Sequence, residues 1–182
     1  MTRIPVPEPD ELRADARELL PLTAKPGREP ARTMAVLARQ PELFAPFLGW
    51  AAALALKGVV PKRDHEIVAL RVAWNCTSEF EWGEHAEYAR AAGLTDTEIA
   101  ALARATGDHG WTRSEAALID TADQLCATFA ITDATWAQLT AHFDGPQLVE
   151  LVMIAGQYTM LSMLANAAGI ELPDGLDSLP SN

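Results

Sequence analysis

The sequence predicts an all-α protein, a compact helical bundle in one domain. Three observations predict it. Alanine occurs 33 times in 182 residues, and Ala, Leu, Glu and Arg fill the periodic segments. Apolar residues recur at helical spacing, and no run of alternating β-branched residues persists beyond four or five positions. The length suits one domain of ordinary size.

The elements follow in order. Residues 1–30 carry clustered prolines (Pro5, Pro7, Pro9, Pro21, Pro26, Pro30) and read as an irregular arm around one short helix near 9–19. The helical domain proper spans residues 31–170. Pro41 opens an apolar helix that Gly58 ends, and Pro61 opens the next, PKRDHEIVALRVAWNCTS. EFEWGEHAEYARAAG closes at Gly93, a glycine suited to a left-handed cap. Thr95 and Glu98 form a capping box for a short helix to about Ala105. Ser114 reads as the N-cap of SEAALIDTADQLCATFA, and Asp133 begins ATWAQLTAHF. Gly145-Pro146 starts a long helix to about Gly169. Residues 171–182 read as a loose tail.

Charge and composition exclude several classes of function. A net charge of −11 repels phosphate backbones and anionic membranes, so neither nucleic acid nor a membrane is an expected partner. The acidic N-terminus has no apolar core of a signal peptide. Residues 151–170 lack charge but carry Gln157, Tyr158, Thr159, Ser162 and Asn166, which reads as a central buried helix, not a membrane span. Cys76 and Cys126 lie 50 residues apart with no CxxC pair, so a reduced, cytoplasmic setting is expected.

Chemistry is sought first at the histidines. His65, His109 and His142 read as solvated. His85 differs, because Glu81 four residues before it and Tyr88 three after share its helix face, and Trp82 can wall that face. In partly dry surroundings such a Glu–His pair exchanges protons; in water it is an ordinary ion pair. Glu66 shares a stripe with Leu70, Ala73 and Trp74 and is either functional or paired with Lys62 or Arg63.

The segment RDHEIVALRVAWNCTSEFEWGEHAEYARAAGLTDTEI resembles the core of the carboxymuconolactone decarboxylase superfamily, which also holds alkyl hydroperoxide reductase D. The resemblance covers about residues 30–170. It implies an AhpD-like bundle assembled as a trimer or hexamer. Glu66 takes the family's acid position and His85 its histidine position. Ser78 and Glu81 stand where the redox branch has two cysteines, so the resemblance favours the decarboxylase branch over thiol peroxidases. Tyr158 and Asn166 match a Tyr…Asn pattern of similar relatives.

The expected function is a lyase- or isomerase-type enzyme without cofactor, acting on a small carbonyl, lactone or carboxylate substrate. His85, Glu81 and Glu66 would be catalytic, with Glu81 orienting His85 or sharing its proton and Glu66 a second acid or base. Trp82, Trp74, Ser78, Tyr88, Tyr158 and Asn166 would bind substrate. No resident metal is assigned; a carboxylate–histidine metal site and a non-catalytic binding protein are the alternatives. Residues 43–56 and 151–170 are both uncharged, and a small bundle centres one such helix, which leaves the other for a contact between copies.

Overall fold

A computed structural model describes residues 1–25 and 27–181, so Pro26 of the arm and Asn182 of the tail lie outside the described residues. These residues form α-helices and short 3-10 turns, with no strand among them. The helices are α1 (Ala14–Leu19), α2 (Arg32–Leu37), α3 (Pro41–Lys57), α4 (Lys62–Asn75), α5 (Glu79–Ala91), α6 (Asp96–Ala101), α7 (Arg113–Thr128), α8 (Asp133–Thr140) and α9 (Gly145–Ala168). They fall into two compact units: Met1–Gly58 with Leu164–Glu171, and Val59–Met163 with Leu172–Asn182.

In the first unit, Leu12, Ala16, Ala38 and Phe44 make a small core, flanked by Leu19, Leu20, Met34, Leu37 and Leu48. The proline-rich arm is fastened: the Arg3 and Ile4 N–H groups donate to the Ala168 carbonyl at 2.7 and 3.0 Å. Gly169 has φ +67°, and a Cβ there would stand 2.4 Å from the Met1 carbonyl oxygen. The short helix expected near 9–19 is a 3-10 turn at Pro9–Glu11 followed by α1. Helix α2 was not expected; its Thr33, Ala35 and Val36 are buried, and packing sustains a helix too short to persist alone. Helix α3 matches its expected limits but buries only Phe44 and Leu54, leaving Leu43, Trp50 and Leu56 exposed.

The centre of the second unit is α4. Every residue from His65 to Ala73 is buried. This corrects the expectation that 151–170 supplies the central buried helix. Helix α9 packs Leu148, Leu151, Ile154, Ala155, Tyr158 and Leu161 inward, while Val149, Val152, Met153 and Met160 are exposed. It is long and apolar enough to cross a membrane by length and composition, and half of that apolar window is buried. An uncharged run shows only that a helix avoids charge; it does not show how many sides are covered.

Arg71 ties α4 to α7. Its guanidinium donates from Nε and Nη2 to the two carboxylate oxygens of Asp123, at 2.6 and 2.7 Å. Its Nη1 donates to the carbonyls of Leu102 (2.7 Å) and Arg104 (2.6 Å). A buried guanidinium so enclosed is stable only while its partners stay in place. Asn75 donates to the same Asp123 at 2.7 Å.

Helix α4 ends in a Schellman turn: the Ser78 N–H reaches the Ala73 carbonyl and the Thr77 N–H that of Trp74. The left-handed position is Thr77, at φ 52°. A β-branched residue is strained there, and the tight link fixes where α5 begins. Helix α5 ends as expected, with Gly93 at φ +91°. The Thr95–Glu98 capping box is present, although α6 stops at Ala101. Ser114 is not the cap of α7. Thr112 is, because its hydroxyl accepts from the Glu115 N–H while the Glu115 carboxylate accepts from the Thr112 N–H. Thr132 caps α8.

The tail is not loose either. It lies against Gly83 of α5, where a Cβ would stand 2.5 Å from Leu172 Cδ1 and 3.0 Å from the Asp177 carbonyl oxygen. Asp177 also pairs with Arg90.

Removing Asp123 strands the Arg71 charge inside the unit. Asp123→Ala should cost about 3 kcal/mol in urea unfolding. An exposed pair such as Arg90–Asp96 should cost under about 1 kcal/mol.

Candidate active site

Helices α4 and α5 run past each other in the second unit and bring Glu66 and His85 together. Both are buried, and Nδ1 of His85 is 2.7 Å from Glu66 Oε2. The Nδ1–H donates to the carboxylate, which leaves Nε2 as the working nitrogen. Nε2 points towards Glu81, whose Oε2 is 3.9 Å away. That gap is too long for a direct hydrogen bond. The local salt bridge considered for Glu66 is not made by Arg63, which pairs instead with Glu98 and with Glu115 at 2.9 Å.

Burial sets the electrostatics. Desolvation pushes the Glu81 carboxyl up to about 7, partly countered by His85. For His85, burial works against the charged form, but the Glu66 charge and hydrogen bond, helped by Glu81, outweigh it and raise its pKa. The Glu81 carboxyl thus exchanges its proton near neutrality. Glu66, hydrogen-bonded to Nδ1, is placed to orient the imidazole, and Glu81 lies on its Nε2 side.

Tyr158 of α9 covers the imidazole, with ring centroids 4.3 Å apart at 72°. Burial holds its phenol well above its ordinary pKa. Its hydroxyl is hydrogen-bonded to His65 Nε2 at 2.8 Å. His65 is therefore not solvated, contrary to the expectation from sequence. It is buried, and desolvation lowers its pKa to about 4, so it is neutral. Its place one residue before Glu66, in a helix whose stretch 67–70 is wholly apolar, was the available signal.

The remaining residues divide. Tyr88 is partly exposed, with its ring 5.5 Å from His85. Ser78 is fully buried at the start of α5, and its Oγ has no hydrogen-bond partner among the described residues. Trp82 is buried, but its ring meets Trp74 edge-on at 6.3 Å, so the two pack against each other. Asn166 is exposed on α9 and belongs to the first unit. A cavity of about 480 Å³ beside α6, lined by Asp96, Arg104 and His109 among others, does not include the Glu–His cluster. Among the described residues, no group of three or more His, Cys, Asp or Glu is placed to hold a metal ion.

An all-α, AhpD-like fold thus carries a buried Glu–His–Glu cluster. Residues 41–124 match the carboxymuconolactone decarboxylase family. The fold is similar to that of an uncharacterised peroxidase-related protein with an alkylhydroperoxidase AhpD core from Ralstonia eutropha JMP134 (TM-score 0.81, 21% identity, 95% of this chain and 93% of that one). It is also similar to a peroxidase-related protein from Silicibacter sp. TM1040 (TM-score 0.80, 15% identity, 95% and 92% covered). A third similar structure is the debrominase Bmp8 in complex with 2,3,4-tribromopyrrole (TM-score 0.79, 13% identity, 96% and 93% covered). No curated protein matches the chain. The family match covers somewhat less than half of the chain, and the solved structures share its AhpD-like fold.

The Glu81 shift has a stability consequence of definite sign. In the unfolded chain the carboxyl ionises near its ordinary 4.5; in the fold it holds its proton to about 7. The stability it lends is full below the lower value and is lost as pH rises through the higher one. Glu81→Gln cannot ionise, so its stability relative to the parent chain should rise between about pH 5 and about pH 8 in paired urea titrations.

Proposed function

We propose that the chain is a cofactor-independent small-molecule enzyme that moves protons at a carbon next to a carbonyl or carboxylate, in decarboxylation or in isomerase- or lactone-type chemistry. The observation that carries this is the His85 imidazole, oriented through Nδ1 by Glu66 and facing a Glu81 carboxyl that titrates near 7. Nε2 takes a proton from the substrate carbon, or protonated His85 returns one to the carbanion left when carbon dioxide departs. Glu81 exchanges a proton with the substrate oxygen or carbon that comes to lie in the 3.9 Å gap. The Ser78 hydroxyl has hydrogen-bonding capacity to offer a substrate oxygen. Tyr158 shields the imidazole from water. The family match and the debrominase fold relative support small-molecule chemistry as the class.

The second part of the proposal is assembly with copies of the same chain, as trimers or hexamers. The exposed Val149, Val152, Met153 and Met160 on α9 support it, because an apolar stripe of this kind is costly to leave in water.

Two measurements test these readings. A panel of β-keto acids and lactone carboxylates in deuterated water is followed by NMR for carbon-bound deuterium and for carbon dioxide release. His85→Gln and Glu81→Gln should lower the rate by about 10²–10⁴, and Glu66→Gln should also lower it by misorienting the imidazole. Turnover within about threefold of the parent in all three variants would exclude the proton-transfer site. Light scattering should give a multiple of the 19.6 kDa chain mass, and a stable monomer at micromolar concentration would remove the assembly proposal.

A further inference from the structure

The two cysteines, 50 residues apart in sequence, meet in space. Cys76 caps the C-terminus of α4, and Cys126 lies in the last turn of α7. Each thiol acts on the ionisation of the other, and Thr159 of α9 acts on both, so the three side chains are neighbours. The register is held on both sides. Asp123, one turn before Cys126, accepts from Arg71 and from Asn75, the residue next to Cys76. The thiols are half-buried, shielded but still reachable by a small molecule.

We propose that Cys76 and Cys126 are a dithiol–disulfide pair that exchanges with small-molecule disulfides, at a site distinct from the Glu–His cluster. The contact also separates the two sulfurs by role. Hydrogen bonding from Cys76 lowers Cys126 to about 7, and the same bond, with burial, raises Cys76. Cys126 is the attacking thiolate and Cys76 the resolving thiol. The Cys126 thiolate attacks one sulfur of the small disulfide, forms a mixed disulfide and expels a small thiolate. The Cys76 sulfur then attacks Cys126 Sγ, giving up its proton to water or to the departing thiolate, and expels the second small thiolate. The protein is oxidised by two electrons and the small disulfide is reduced to two thiols. The bridge would join the end of α4 to α7, immediately before the strained Thr77 turn.

The test uses the full chain and glutathione disulfide as the probe, read by intact mass and by tryptic mapping without reductant. Trypsin leaves Cys76 in peptide 72–90 and Cys126 in peptide 114–182. The expected result is loss of two hydrogens and a cross-link between these peptides. Cys76→Ser should instead accumulate one glutathionyl group on Cys126, and Cys126→Ser should react at least about tenfold more slowly. Any of three results would overturn the proposal: two stable glutathionyl adducts on the parent chain, a cross-link between chains, or faster capture by Cys76 than by Cys126. Circular dichroism confirms that each variant is folded, and the cross-link in the parent chain depends on neither variant.

Discussion

Covering α4 on every side is the constraint on which the second unit depends. A helix exposed to water on one face can send its charged side chains outward; α4 has no such face between His65 and Ala73. Each polar group there needs a partner on a neighbouring helix or loses its solvation uncompensated. Arg71 finds Asp123 and two carbonyls, Glu66 finds His85, and His65 finds Tyr158. Three buried polar side chains on one helix thereby tie it to α7, α5 and α9. The structural ties and the candidate chemistry are made of the same kind of contact.

What separates them is how completely each contact is satisfied. Arg71 is enclosed by four acceptor contacts in fixed directions, which engage four of its five N–H groups. The Glu–His cluster is deliberately incomplete. Nδ1 of His85 is engaged while Nε2 stands 3.9 Å from Glu81, and Ser78 Oγ is buried without a partner among the described residues. Unfulfilled polar atoms in a dry setting carry a free-energy cost that a polar ligand relieves. The same dryness raises the Glu81 carboxyl and makes it a usable proton carrier.

Much of this was legible in the residues. The limits of α3, the Gly93 stop and the Thr95 cap follow from local chemistry that operates within one turn, so local sequence is enough. Glu81 and His85 were paired by spacing alone, and Glu66 was set beside them by resemblance. Which glutamate meets Nδ1 was not legible, because spacing along one helix says nothing about which carboxylate a neighbouring helix brings to it. His65 looked solvated because an acidic neighbour on each side resembles a surface stretch. Cys76 and Cys126 looked remote because sequence separation carries no information about where α4 and α7 cross. The uncharged 151–170 run concealed its exposed stripe for a related reason: an apolar residue reads alike whether its partner lies in the same chain or outside it.

Gly83 stands between Trp82 and Glu84, on the helix that carries Glu81 and His85, and the tail, through the Leu172 and Leu176 side chains and the Asp177 carbonyl, occupies the space a side chain there would fill. The two features are therefore linked in inheritance. While residues 172–177 keep this path, a larger residue at 83 must displace the Leu172 side chain and crowd the Asp177 carbonyl; once the tail is rerouted, that restriction disappears. Among descendants of this chain, glycine at 83 and the course of the C-terminal segment should be kept or lost together, a covariation between sites almost ninety residues apart that arises from one steric exclusion.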